Sequence, residues 1–404
     1  MSSPADSENT PAGLRQRGES QMESTSSVKN SAGTAGIFAG MDPRWKNWWI
    51  RGVFAFVMIA VFVMIVLMGP LFLTLLVITV QVKCFHEIIS IGLMKYREYN
   101  LPLYRVLNWY LLLVANYYSL GTNMFYYYPD YKEHLYTAAH YHKMISFLLY
   151  VTGFVFFVLT LKRDYYRVQF SLLAWTHITL LMFVSVSHLI IQNVYEGVYW
   201  FLMPVSLVIC NDIMAYVSGF FFGKTPLIKL SPKKTWEGFI GAFFWTVVFA
   251  LLFAYFLSSV EYFVCYPNSG PCERDPLYRY KQYNLPKIPF GEGATFSMYP
   301  AVLHSIPLAI FASIIAPFGG FFASGFKRAF RIKDFGDLIP GHGGIVDRFD
   351  CQVLMAAFAN IYYFSFCRTL NPEHVIKSIL SLTVEQQVEV LHKLNESLTS
   401  RGLF

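Results

Sequence analysis

Apolar runs of about 17 to 25 residues, almost free of charge, recur along the chain, and that is the length an α-helix needs to cross the hydrocarbon core of a bilayer. In that solvent every backbone N–H and C=O must be satisfied within the segment, so the runs specify helices rather than open sheets. Nine spans are expected, over residues 52–68, 71–93, 105–121, 143–161, 168–191, 198–222, 239–257, 299–322 and 350–368. The first two form a tight hairpin around Gly69 and Pro70, and Asn108 and Asn116 interrupt the third. Composition points the same way, since 55% of the 404 residues are hydrophobic and 14% charged, where a soluble globular chain carries about 25% charged residues. The fold class expected is an all-α, polytopic integral membrane protein.

Positive charge orients such a protein, because connections rich in Lys and Arg stay cytosolic. Alternate connections are rich here: Arg44, Lys46 and Arg51; Lys95 and Arg97; Lys162, Arg163 and Arg167; Lys224, Lys229, Lys233 and Lys234; Lys327, Arg328, Arg331 and Lys333. The first hairpin and residues 192–197 on the other side have none. Loop 258–298 carries four basic residues, but long loops cross largely regardless of charge. Within it Cys265 and Cys272 suit a small disulfide if the loop faces an oxidising lumen. The net charge of +7 does not imply a nucleic-acid partner, since no basic face with interleaved aromatics lies outside the apolar spans.

Three regions follow. Residues 1–43, rich in Ser, Thr, Gly and Ala, read as a disordered cytosolic tail; 44–370 form the transmembrane catalytic domain; and 371–404 hold a C-terminal amphipathic segment. In that segment Thr383 and Gln386 are spaced as a capping box, ahead of Val384, Val388, Leu391 and Leu394 on one side of a helix.

Two polar constellations fall on the basic side. The first runs from Cys210 to Gly241. Asp212 sits in an otherwise apolar span, where an ionisable group is expensive and faces the protein interior or a water-filled cavity. Small residues at Ser218, Gly219 and Gly223 admit a close neighbour, either backbone or phosphate. Ser231-Pro-Lys-Lys-Thr-Trp-Glu-Gly then supplies a turn, two ammonium groups and hydroxyls just before the next helix, whose free N–H groups can face an anion. Ser218, Ser231, Lys233, Lys234, Thr235 and Glu237 are the substrate-binding candidates of this segment. Lys224 and Lys229 serve either topology alone or phosphate contact.

The second constellation spans Ser324–Asp350, where four Asp, one His and five Gly stand among Lys and Arg residues. Asp347 and Asp350 are three residues apart, so on a helix both carboxylates can share a hard divalent cation. Magnesium uses one or two carboxylates and completes its shell with water and phosphate oxygens. Lys327, Arg328, Lys333 and Arg348 can neutralise phosphate charge. Asp334 is either a further ligand or the partner of Lys333. Pro340-Gly-His-Gly-Gly is a turn whose amides, at Gly343 and Gly344 among others, can cradle an oxyanion. His342 is either a structural histidine or a member of the site.

Ser324-x-Phe326-Lys327-Arg328, Lys333-Asp334, Gly336, Ile339-Pro340, His342-Gly343-Gly344 and Asp347-Arg348-x-Asp350 together resemble the signature of the phosphatidate cytidylyltransferases. Asn211-Asp212, Ser218-Gly219 and Ser231 to Gly238 look like the eukaryotic endoplasmic-reticulum branch of that family. The resemblance reaches from about Arg44 to the last span. It implies a helical membrane enzyme of phospholipid biosynthesis in the endoplasmic reticulum membrane, its active site facing the cytosol. The implied reaction joins CTP to phosphatidic acid, giving CDP-diacylglycerol and pyrophosphate, with Mg2+ and room for a second, monovalent cation. Asp212, Asp347 and Asp350 are then the expected metal ligands. Lys327, Arg328, Lys333, Asp334, His342 and Arg348 are the catalytic candidates, with His342 as hydrogen-bond donor rather than base. Membrane lipid is a partner, and a homo-oligomer is compatible with the sequence.

Overall fold

A computed structural model of the chain describes residues 43–95, 102–127, 136–228, 230–265, 274–284, 295–336, 343–368, 375–376, 379–380 and 382–402. Residues 1–42 of the expected tail, His342 and Cys272 lie outside this set. Packing divides the chain into Met1–Met64, where only the start of the first helix is described, and Ile65–Phe404, which holds the elements that build the site.

The helices in chain order are α1 (Pro43–Met68), α2 (Pro70–Lys95), α3 (Pro102–Tyr127), α4 (Tyr136–Leu159), α5 (Tyr166–Glu196), α6 (Val198–Phe222), α7 (Trp236–Ser259), α8 (Glu261–Val264), α9 (Pro300–Ile314), α10 (Pro317–Phe330), α11 (Val346–Tyr362) and α12 (Val384–Ser400). Two short antiparallel hairpins interrupt them: β1 (Pro226–Ile228) with β2 (Ser231–Thr235), and β3 (Lys281–Asn284) with β4 (Thr295–Met298). The all-α polytopic class holds. The count of nine spans is not confirmed: six stretches among the described residues are long and apolar enough to cross a membrane. These lie on α2, α4, α5, α6, α7 and the α9–α10 pair. The other three expected spans fall on α1, described as apolar over Phe56–Met68, on α3 with its Asn residues, and on α11, 17 residues long.

Breaks between helices follow local chemistry. Gly69 sits at φ 101° between α1 and α2, a left-handed conformation that favours glycine, and the first helix ends there. The run expected as one span over 299–322 is broken at Ile315–Ala316, and α10 restarts on Pro317. At the far end of α10 the Ile332 amide bonds the Lys327 carbonyl and Arg331 adopts φ 55°, a Schellman-type closure that turns the chain into the loop before α11.

α6 packs along α7, α7 against α9, and α11 against α5, α6 and α10. Glycine sets the closest of these approaches. A β-carbon on Gly319 of α10 would collide with the Asp350 carbonyl oxygen of α11. One on Gly320 would stand 3.2 Å from the Cys351 Sγ, 3.4 Å from Asp350 Oδ2 and 3.5 Å from Lys234 Nζ. Gly319→Ala is therefore expected to force α10 and α11 apart and to destabilise the protein by about 1–3 kcal/mol. A fall in the thermal midpoint in detergent would register it, and an unchanged midpoint would contradict the close approach.

Beneath the site, Cys84 and Ile88 of α2, Phe183 of α5, Ala323 of α10, Phe335 and Val346 form one buried cluster. The Trp175 indole N–H also donates to the Ile88 carbonyl at 3.1 Å. α2 is thereby fixed to the α10–α11 region. At the C-terminus the capping box of α12 is present: the Gln386 amide donates to Thr383 Oγ1 and the Thr383 amide to Gln386 Oε1. Val384, Val388, Leu391 and Leu394 of α12 are exposed.

Candidate active site

Three chain segments converge where the C-terminal half of α6 meets the first turns of α7, α10 and α11. Asp212 comes from α6, Lys234 from β2, and Asp350 from the first turns of α11. The Asp212 carboxylate lies within the electrostatic reach of Lys234 and Arg348, which attract it, and of Asp350, which repels it. Two carboxylates from separate helices thus share one locus, with cationic groups beside them.

Asp212 and Lys234 line a cleft of about 490 Å³ between α6, the β1–β2 hairpin, α7 and α10, and Asp350 stands behind it beside Gly320 and Lys234. Asp212, Ser231, Lys234 and Thr235 line its polar part, and Tyr216 and Phe321 belong to its apolar wall. The Lys234 ammonium stands 4.5 Å from the Phe321 ring centroid, a cation–π contact that holds the ammonium over the cleft. Tyr216 and Phe220 are 74% and 73% exposed, so one side of the cleft presents rings to the surroundings of the helix bundle.

The segment expected as a turn before α7 is instead a strand of the β1–β2 hairpin, with Pro226 opposite Thr235 and Ile228 opposite Ser231. Glu237 explains its position. One of its carboxylate oxygens accepts from the Lys224 amide at 3.1 Å, both accept from the Thr225 amide, and Oε1 accepts the Thr225 hydroxyl at 2.8 Å. Glu237 therefore clamps the hairpin base to the first turn of α7. Thr235 caps α7, its hydroxyl accepting from the Gly238 amide at 3.2 Å. Ser218 is buried against α7, where a β-carbon on Gly241 would collide with its hydroxyl, so it belongs to the helix crossing. Lys233 lies in β2.

The two aspartates of α11 part company. Asp350 Oδ1 accepts from the Cys351 amide at 2.7 Å, and its other oxygen faces Gly320 and Lys234. Asp347 is engaged elsewhere: Oδ1 pairs with the Lys327 ammonium at 2.5 Å, and Oδ2 accepts from the amides of Phe335 at 2.9 Å and Gly344 at 3.3 Å. Asp347 and Lys327 thus tie α10 to the loop that precedes α11. No group of three metal-ligating side chains is gathered among the described residues. Two carboxylates nevertheless suit magnesium, which fills the rest of its shell with water and phosphate oxygens.

Of the amides expected to cradle an oxyanion, that of Gly344 already has a carboxylate acceptor, and so do the two amides that follow it. Gly344 donates to Asp347, while Ile345 and Val346 donate to Glu87 of α2 at 2.9 and 3.0 Å. Gly343 adopts φ 79° and packs against Asp334. No ion pair joins Lys333 and Asp334 among the described residues. Arg328, Lys333 and Arg348 are exposed. The sequence reading passed over Glu87, although an ionisable group inside an apolar run marks a functional position by default. It also passed over Gly319 and Gly320, whose small size brings Asp350 to Lys234.

Comparison with known proteins supplies the remaining finding. The cytidylyltransferase family profile matches residues 49–366. A phosphatidate cytidylyltransferase 2 from Mus musculus is 51% identical over 395 residues, covering 95% of this chain and 88% of its own length. A phosphatidate cytidylyltransferase 1 from the same organism is 53% identical, covering 90% of this chain and 82% of its own. A phosphatidate cytidylyltransferase from Caenorhabditis elegans is 46% identical, covering 98% and 89%.

Proposed function

The chain belongs to the cytidylyltransferase family, and from that premise we propose how it joins CTP to phosphatidate to give CDP-diacylglycerol and pyrophosphate. The observation that carries the proposal is a cleft with an apolar wall that Asp212 and Lys234 line, with Asp350 beside Lys234 and within electrostatic reach of Asp212. Both reactants are polyanions, so a phosphatidate oxygen can approach the α-phosphorus of CTP only where charge is offset. Asp212 and Asp350 would hold magnesium, which would supply charge masking for the triphosphate.

Lys234, fixed over Phe321, binds a phosphate of the incoming lipid or nucleotide, with Ser231 and Thr235 beside it. Arg348, within electrostatic reach of Asp212, and the exposed Lys333 and Arg328 add positive charge for the phosphates. The phosphatidate oxygen forms a bond to the α-phosphorus as the bond from that phosphorus to the β-bridging oxygen breaks, and pyrophosphate leaves with the electron pair. Phosphatidate is already ionised near neutral pH, so no strong base is required, and His342 serves as a hydrogen-bond donor. Positioning and electrostatics supply most of the rate. Asp347 acts with Lys327 to shape the loop, and its contribution to the metal comes through that loop.

The protein resides in the endoplasmic reticulum membrane with this site toward the cytosol, a reading supported by the Lys and Arg of the connections around the site. CTP reaches it from water, and phosphatidate from the bilayer past the exposed rings of Tyr216 and Phe220.

The test supplies purified protein in detergent with phosphatidic acid, magnesium and α-³²P-labelled CTP. Label in the lipid phase with stoichiometric pyrophosphate is expected, and EDTA should abolish both. Release of CDP instead, with an alcohol lipid as acceptor, would indicate a CTP-dependent lipid kinase and contradict the proposal.

A further inference from the structure

Glu87 lies on α2, far in sequence from the motifs that mark the site, yet its carboxylate reaches the start of α11. Oε1 accepts from the Ile345 amide at 2.9 Å and Oε2 from the Val346 amide at 3.0 Å. Both oxygens also touch glycines: a β-carbon on Gly336 or on Gly344 would stand 2.8 Å from one or other of them. The residue is 8% exposed and sits beside the buried cluster of Cys84, Ile88, Phe335 and Val346. Burying a carboxylate is costly, and amide donors at a helix start are among the few partners that offset it.

The arrangement is a pair of carboxylate clamps on one loop. Asp347 gathers Lys327, Phe335 and Gly344, and Glu87 gathers Ile345 and Val346. Between them they fix residues 344–347, and Val346 stands about one turn before Asp350. A single bond would leave the helix start free to rotate about it. Two bonds to one rigid carboxylate set both its place and its direction.

We propose that Glu87 is a positioning residue for cytidylyl transfer, holding the first turn of α11 so that Asp350 stands opposite Asp212 and beside Lys234. The inference rests on the role proposed above for Asp350. A displacement of about 1 Å at a reacting centre costs about 10²-fold in rate, so a carboxylate that touches no substrate can still govern turnover.

The experiment compares full-length wild type, Glu87→Gln and Glu87→Asp in detergent, with kcat, the KM for each substrate, the magnesium dependence and the thermal midpoint measured for each. Glutamine keeps the shape but sets an amide NH2 against a backbone N–H, so one clamp bond is lost. The expected result is a kcat lowered by about 10–100-fold, as for partners that orient metal ligands. More magnesium should be needed for half-maximal rate, the KM for phosphatidate should be unchanged, and the thermal midpoint should stay near wild type. Glu87→Asp keeps charge and both oxygens and should recover part of the rate.

Wild-type kcat and magnesium dependence in Glu87→Gln would overturn the proposal and leave Glu87 a helix cap with no catalytic consequence. Should that variant fail to fold, Glu87→Asp decides by the same readouts. Asp350→Asn is assayed in parallel. Full activity there removes the reading of the site itself, whereas normal Glu87→Gln beside inactive Asp350→Asn removes only the role of Glu87.

Discussion

Asp350→Asn is expected to lower turnover by at least about 10³-fold while the protein still inserts and packs, because the substitution removes charge and little else. The asparagine carbonyl oxygen can still accept from the Cys351 amide, as Asp350 Oδ1 does at 2.7 Å. Its volume still fits beside Gly320, the residue that brings the side chain to Lys234. What disappears is the negative charge that shares a locus with Asp212, and with it the second carboxylate for magnesium. Steady-state turnover, with size-exclusion and thermal profiles as the check on folding, measures the effect. A folded Asp350→Asn protein with near-normal activity would contradict the metal assignment.

Lys327→Met should damage both stability and activity, for a different reason. The Lys327 and Asp347 side chains are 19% and 9% exposed, and their charged atoms lie 2.5 Å apart. Removing the ammonium leaves the Asp347 carboxylate with only the Phe335 and Gly344 amides among its described partners. Breaking a buried pair by deleting one member costs about 3–5 kcal/mol, and the residual solvent access here places the loss near the lower end, at about 3 kcal/mol. The loop before α11 loosens with it, so kcat should fall by about 10²-fold through misplacement of Asp350. Denaturation in detergent and steady-state kinetics measure the two effects. A variant as stable and as active as wild type would show that the pair organises nothing.

Much of the architecture was legible because the bilayer is an exacting solvent. Long uncharged runs located the apolar helices, Gly69-Pro70 located the break between α1 and α2, and Thr383 with Gln386 located the start of α12. Cys265, suited to a disulfide with Cys272 if its loop faced an oxidising lumen, is disulfide-bonded, and Cys272 lies outside the described residues. Asp212 was conspicuous as a lone charge in an apolar span and does line the cleft.

Other features depended on contacts that sequence spacing does not encode. Asp347 and Asp350 are three residues apart, which predicts a shared direction on a helix. Asp347, however, stands in the first turn, where the preceding loop and Lys327 compete for its oxygens. Glu87 meets its partners across 258 residues of sequence, so only its presence in an apolar run could have raised it. The break at Ile315–Ala316 turned an expected single span into two helices, and Asn108 and Asn116 kept α3 below the hydropathy of its neighbours. The β1–β2 hairpin has no alternating apolar pattern to reveal it; Glu237 and the Thr235 cap secure it instead.

The shared metal locus of Asp212 and Asp350 is the centre of the account, and manganese in place of magnesium tests it without relying on turnover. Binding of Mn2+ to the detergent-solubilised protein in the presence of CTP, followed by electron paramagnetic resonance, should be strong in wild type. It should be lost or greatly weakened in both Asp212→Asn and Asp350→Asn. Wild-type, CTP-dependent Mn2+ binding in both folded variants would contradict the account and place the cation elsewhere.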